Sequence, residues 1–140
     1  MKMNNIILLD LDGVLIKSAT WRKDEIHEDG YSDFHPTCVK ALNKILEETG
    51  YDIILSSARR VDVRISKMNE YFEARGVNKP IEDYVPIYRE ANSRREEIEM
   101  FLLEYKPENY LIIDDDKSLS DASEKIKSNW IKTDSMIGLK

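Results

Sequence analysis

Four aliphatic residues, Ile6-Ile7-Leu8-Leu9, run without interruption into Asp10-Leu11-Asp12-Gly13-Val14. An apolar run of this kind reads as a strand buried on both faces, as in a parallel sheet covered by helices. Its carboxyl end falls at the rim where open α/β sheets bind ligands. There the chain sets two carboxylates, Asp10 and Asp12, close together. Such neighbouring like charges need a cation or a shared proton. Mg2+ is the natural guest for hard oxygen ligands. Gly13 lets the chain turn sharply at once.

Two further runs repeat the pattern. Leu111-Ile112-Ile113 ends in Asp114-Asp115-Asp116, and Ile53-Ile54-Leu55 ends in Ser56-Ser57-Ala58-Arg59. Two strands ending in acids and one ending in hydroxyls and an arginine make a single polar rim.

The remaining elements follow from periodicity. Residues 36–48 read as a helix with Val39, Leu42, Ile45 and Leu46 on one face and Gly50 closing it. Residues 62–75 read as a second helix, with Ile65, Met68, Tyr71 and Phe72 inward. Residues 85–88 read as a short strand, which Pro86 marks as irregular or an edge. Ser93-x-x-Glu96 is a capping box opening a helix that buries Ile98, Phe101, Leu102 and Tyr105. A helix over 118–128 and a strand over 130–133 complete the chain. Strand and helix alternate, which predicts an α/β fold with helices on both faces of a parallel sheet.

At 140 residues, 41% of them apolar, the chain reads as one domain, 1–140, with room for a real core. No apolar stretch approaches the ~20 residues of a membrane span, and MKMNN does not open a signal peptide. Cys38 is the only cysteine, which points to a reducing, cytoplasmic setting. Cys38, His27 and His35 lack zinc-type spacing. A net charge of −6 argues against indiscriminate binding to long nucleic acid. Arg59, Arg60, Arg64, Arg94 and Arg95 form a candidate basic patch beside the acidic rim, although Arg60 and Arg64 read equally well as solvated helix surface.

Taken in order, ILLDLDGV, DIILSSAR, SRREEI and YLIIDDD resemble the motifs of the haloacid dehalogenase-like (HAD) superfamily. Lys132-Thr133-Asp134 with Gly138-Leu139 is similar to the small HAD domains associated with Swiss Army Knife RNA repair proteins. SSARR and REEI are similar to the 3′-phosphatase domain of polynucleotide kinase-phosphatases. One departure stands out: the family's usual basic residue is lysine, and here it must be Arg94 or Arg95.

The resemblance implies a Rossmann-like three-layer sandwich with a five-stranded parallel sheet of order 3-2-1-4-5 and no cap domain. The segment 15–35, with Trp21 and Tyr31-Ser32-Asp33-Phe34, is too short for a cap and corresponds to the family's flap. It further implies a phosphohydrolase. Asp10 would attack phosphorus and Asp12 would act as acid and base. Asp10, the Asp12 backbone carbonyl, Asp114 and Asp115 would hold Mg2+. Ser57, by its [ST]-x-R spacing, would bind a phosphoryl oxygen, with Ser56 as the alternative. Arg95 is preferred over Arg94 for the basic role by its 19-residue offset from Asp114. Gly13, Ser56 and Arg59 are the substrate-binding candidates, and an open site suits phosphorylated nucleic-acid ends, whose neighbouring phosphate would meet Arg59.

Three other readings fit parts of the pattern. A small-molecule phosphatase would use the same rim. A catalytically inactive HAD-shaped interaction module would not need both Asp10 and Asp12. A signalling receiver domain needs its phospho-accepting aspartate at the end of a middle strand, where this chain has serines.

Overall fold

Unbroken aliphatic runs build the centre of the sheet. The computed structural model describes residues 3–17 and 23–140; Trp21 of the flap lies outside the described residues. The strands are β1 (Asn5–Leu9), β2 (Asp52–Leu55), β3 (Ile81–Tyr84), β4 (Asn109–Asp114) and β5 (Trp130–Lys132). All pairings are parallel, and the order is β3-β2-β1-β4-β5, as the resemblance implies. The helices are α1 (Pro36–Thr49), α2 (Ile65–Ala74), α3 (Arg94–Tyr105) and α4 (Glu124–Ser128).

Alternate residues of each strand feed opposite layers. Ile7, Leu9, Ile53 and Leu55 pack with Leu42 of α1 and Phe72 of α2. Ile6, Leu8, Ile54 and Ile112 pack on the other face with Ile98 and Phe101 of α3 and Ile126 of α4. Fully burying a side chain of this size contributes about 1.5–3 kcal/mol, so these two layers dominate stability over any single rim residue. No helix among the described residues is long and apolar enough to cross a membrane.

Two elements differ from the sequence reading. The third strand lies at Ile81–Tyr84, ahead of the expected 85–88. It is an edge strand, and its exposed Glu82 and half-buried Asp83 hide it from a hydrophobic pattern. The expected helix over 118–128 is broken. A 3₁₀ turn spans Lys117–Asp121, Ala122 is extended, and Ser123 then caps α4 by accepting the Ile126 N–H.

The chain after β5 returns across the D-x-D-G turn. Thr133 Oγ1 donates to the Gly13 carbonyl (2.8 Å) and the Leu139 N–H to the Val14 carbonyl (2.8 Å). Leu139, on this strap, is buried in the core layer that includes Val14 and Cys38.

Candidate active site

Sheet register sets the site. Leu9 is level with Leu55 on one side and Ile113 on the other. The ladders continue one residue further: the Asp10 N–H donates to Ile113 (3.1 Å) and the Ser56 N–H to Leu9 (2.8 Å). Asp10, Ser56 and Asp114 therefore stand side by side at the carboxyl edge of the three central strands. Each follows a residue facing the α1/α2 layer, so alternation turns all three toward α3.

Asp10, Asp114 and Asp115 bring carboxylate oxygens within 4.8 Å of one another. Asp10 and Asp114 are buried. Asp10 Oδ1 accepts the Leu11 N–H (2.9 Å), and one Asp114 oxygen accepts the Asp116 N–H (3.0 Å). The other Asp114 oxygen is buried with no hydrogen-bond partner. Arg94 provides the nearby positive charge, at 3.8 Å from Asp10 and 3.7 Å from Asp114. Three carboxylates against one guanidinium leave the cluster short of positive charge. Burial, then repulsion from Asp10, pushes Asp114 well above the usual carboxylate range. Burial raises Asp10 as well, against the pull of Arg94. Burial and Asp10 push Asp115 up to about 6. An orphaned buried oxygen within a set of hard oxygen donors fits a divalent cation such as Mg2+.

Gly13 makes room for this cluster. Its φ is +82°, and a Cβ there would lie 2.1 Å from an Asp115 carboxylate oxygen. Only glycine allows both the left-handed turn and the approach of Asp115.

Ser93 opens α3 by accepting the Glu96 N–H (3.2 Å), while Glu96 accepts the Asn92 N–H (3.1 Å). The capping box is thus present with its return bond shifted by one residue. It starts the helix so that Arg94 points inward, its side chain 11% exposed, and donates to the Ser56 carbonyl. Arg95, preferred on offset alone, pairs instead with Glu99 on the helix surface (3.0 Å). Successive helical side chains diverge by about 100°, so only one of the two arginines can face the carboxylates.

The serines also divide. Ser57 Oγ accepts the Arg59 N–H (3.2 Å) and caps the 3₁₀ turn Ala58–Val61. Ser56 Oγ is buried without a partner, beside Asp10. Ser56 therefore has the uncommitted hydroxyl, contrary to the order of preference read from spacing.

Arg59 does not stand free on the rim. Its Nε and Nη2 donate to the two Asp12 carboxylate oxygens (2.9 and 2.8 Å). Its outer edge reaches Ser32 Oγ (3.1 Å) and Asp24 (3.0 Å). Asp24 and Ser32 lie in the flap segment, which carries no periodic signal, so sequence reasoning missed them. Arg60 is buried, not solvated, and donates to the carbonyls of Val85, Ser56 and Ser57 and to Glu97. Arg64 is exposed. The expected basic patch is thus largely absorbed into internal pairs.

The sheet order, the acid-ended central strands and the turn at Gly13 define a HAD-type domain. A family model described as the HAD domain in Swiss Army Knife RNA repair proteins matches residues 6–140, and the chain belongs to that family. Membership brings a phosphatase-like framework whose members generally use Mg2+. No curated protein was found to match the chain.

Proposed function

We propose that the protein is a Mg2+-dependent phosphohydrolase acting on phosphate monoesters through an aspartyl-phosphate on Asp10. The observation that carries this is the unpartnered Asp114 oxygen, buried beside Asp10 and Asp115. Asp10, Asp114 and Asp115, with the Asp12 backbone carbonyl, would hold Mg2+, which supplies charge neutralisation for an anionic substrate.

The chain's own residues divide the work. An Asp10 carboxylate oxygen attacks phosphorus and the ester P–O bond breaks. Asp12 gives its proton to the departing oxygen. Asp12 then takes a proton from a water that attacks the acyl phosphate, releasing inorganic phosphate and restoring Asp10. Ser56 donates a hydrogen bond to a phosphoryl oxygen. Arg94 balances the charge developing on the equatorial oxygens.

Membership in a family named for RNA repair proteins supports a phosphorylated nucleic-acid end, specifically a polynucleotide 3′-phosphate, as the substrate. A small phosphate ester is the second reading, favoured by the net charge of −6 and by the engagement of Arg59 and Arg60 in internal pairs. The deciding experiment compares 3′-phosphorylated oligonucleotides with mononucleotides and sugar phosphates in the presence of Mg2+. Higher kcat/KM for oligonucleotides, falling as salt rises, supports the first reading. Higher kcat/KM for small esters with no salt slope supports the second. No Mg2+-dependent phosphate release from any of them overturns the proposal.

A further inference from the structure

We infer that Arg59 is a positioning residue: it fixes the Asp12 carboxylate, and the flap residues Asp24 and Ser32 complete its seat. The inference rests on the proposed acid–base role of Asp12. The Asp12 side chain is 47% exposed, so the fold alone does not hold it in one orientation. The planar guanidinium does. Two parallel N–H donors meet both carboxylate oxygens, the arrangement in which arginine gives most directional control.

Arg59 is itself held from three sides. Ser57 caps its backbone, and the guanidinium lies 5.3 Å from the Tyr31 ring centroid. Ser32 Oγ accepts from Arg59 and donates to Asp24 (2.7 Å). The loop carrying Tyr31 and Ser32 is in turn bolted to α2 by Arg75. That buried guanidinium donates to both Asp29 carboxylate oxygens (2.7 and 2.8 Å) and to the Ser32 carbonyl (3.1 Å). A continuous set of directional contacts therefore runs from α2 through the flap to Asp12.

The alternative is that Arg59 binds a substrate phosphate. Its charge is already shared by two carboxylates, Asp12 and Asp24. A phosphate would have to displace one of them, which favours positioning over anion capture.

Positioning of an acid has a signature that structural support lacks. An alkyl phosphate needs Asp12's proton on its leaving oxygen as the P–O bond breaks. A nitrophenyl phosphate leaves as a stable anion and scarcely needs it. The experiment measures kcat/KM for both esters, with Mg2+, in wild type, Asp12→Asn, Arg59→Met, Arg59→Lys and the Asp12→Asn/Arg59→Met double variant. General acid catalysis contributes about 10²–10⁴-fold, so Arg59→Met should lose on the order of 10²-fold on the alkyl ester and far less on the nitrophenyl ester. Arg59→Lys, which keeps charge without the fork, should recover part of that loss. The double variant should lose no more than Asp12→Asn. If Arg59→Met does not fold, Asp24→Asn loosens the same clamp from its exposed side and should show the same leaving-group pattern at smaller size. Equal losses on both esters with raised KM would overturn the inference in favour of phosphate binding. Unchanged kinetics in Arg59→Met, or in Asp24→Asn where it stands in, would overturn it in favour of a passive ion pair. A wild type inactive on both esters would overturn the underlying phosphatase reading, and the inference with it.

Discussion

Asp10 is buried beside β2 and β4 and faces Arg94 across 3.8 Å, whereas Asp12 is half-exposed and gripped by Arg59 at 2.8 and 2.9 Å. The first setting is made by strands: register places Asp10, Ser56 and Asp114 abreast, and α3 delivers Arg94 to them. The second is made by loops, with the flap and the 3₁₀ turn after β2 meeting over a carboxylate that no strand supports. The sheet half concentrates negative charge in a place that needs a cation. The loop half neutralises its carboxylate at once with an arginine. One motif thus holds two carboxylates in contrasting settings, one buried among other acids and one paired with an arginine at the surface.

The largest effect that tests this division is at α3. Arg94→Ala should lower kcat roughly 10²–10³-fold, the usual cost of losing a preorganised charge contact. Arg95→Ala, which loses only a surface pair, should stay near wild type. Steady-state kinetics of both variants would break the comparison if Arg95 proved the costlier loss.

Metal binding sharpens it next. A ligand at 100 times its Kd stabilises by about 2.7 kcal/mol, a shift of several degrees in Tm for a chain of this size. Mg2+ should raise the Tm of wild type and of Asp12→Asn, but not of Asp114→Asn. A Mg2+ shift surviving in Asp114→Asn would move the metal away from the sheet half.

Gly13→Ala should have a smaller effect that links the halves. Its Cβ would overlap Asp115 in a left-handed conformation, a conformation that costs about 1–2 kcal/mol for a non-glycine residue. Lower thermal stability and a higher Mg2+ requirement are expected together; an unchanged Mg2+ requirement would show that Asp115 need not pack there.

The smallest effect concerns the flap's anchor. Hydrogen bonds from Arg75 hold the Asp29 carboxyl below the usual carboxylate range. The stabilisation is therefore present above the ordinary value near about pH 4 and is lost as pH falls through the lowered one. The Tm difference between wild type and Asp29→Asn should shrink steadily on acidification below that point. A difference that grows on acidification would contradict the assignment.

What could be read in advance divides along the same line. The acid-ended strands and the turn at Gly13 were legible, because unbroken aliphatic runs and a D-x-D-G stop are local signals. Strand order came through the resemblance to the HAD superfamily, since periodicity carries no information about neighbours. The edge strand at Ile81–Tyr84 was misplaced because only one of its residues is fully buried. Arg60 reads equally well as part of a basic patch or as solvated surface, yet it is buried and donates to four carbonyls, those of Val85 and Pro86 coming from a distant segment, and to the equally distant Glu97. The Asp24–Ser32–Arg59–Asp12 network was illegible for the same reason: its members meet only when the flap folds back over the turn after β2.

The central claim is that Asp10 is the nucleophile of a Mg2+-dependent phosphohydrolase. Asp10 lies at the rim, and its buried charge is opposed by Asp114, so Asp10→Asn should fold with a Tm at or above that of the metal-free wild type. The decisive measurement is phosphate release from an aryl phosphate by wild type and Asp10→Asn, with and without Mg2+. Turnover that requires both Mg2+ and Asp10 is the predicted result. Full turnover by a folded Asp10→Asn protein would contradict it.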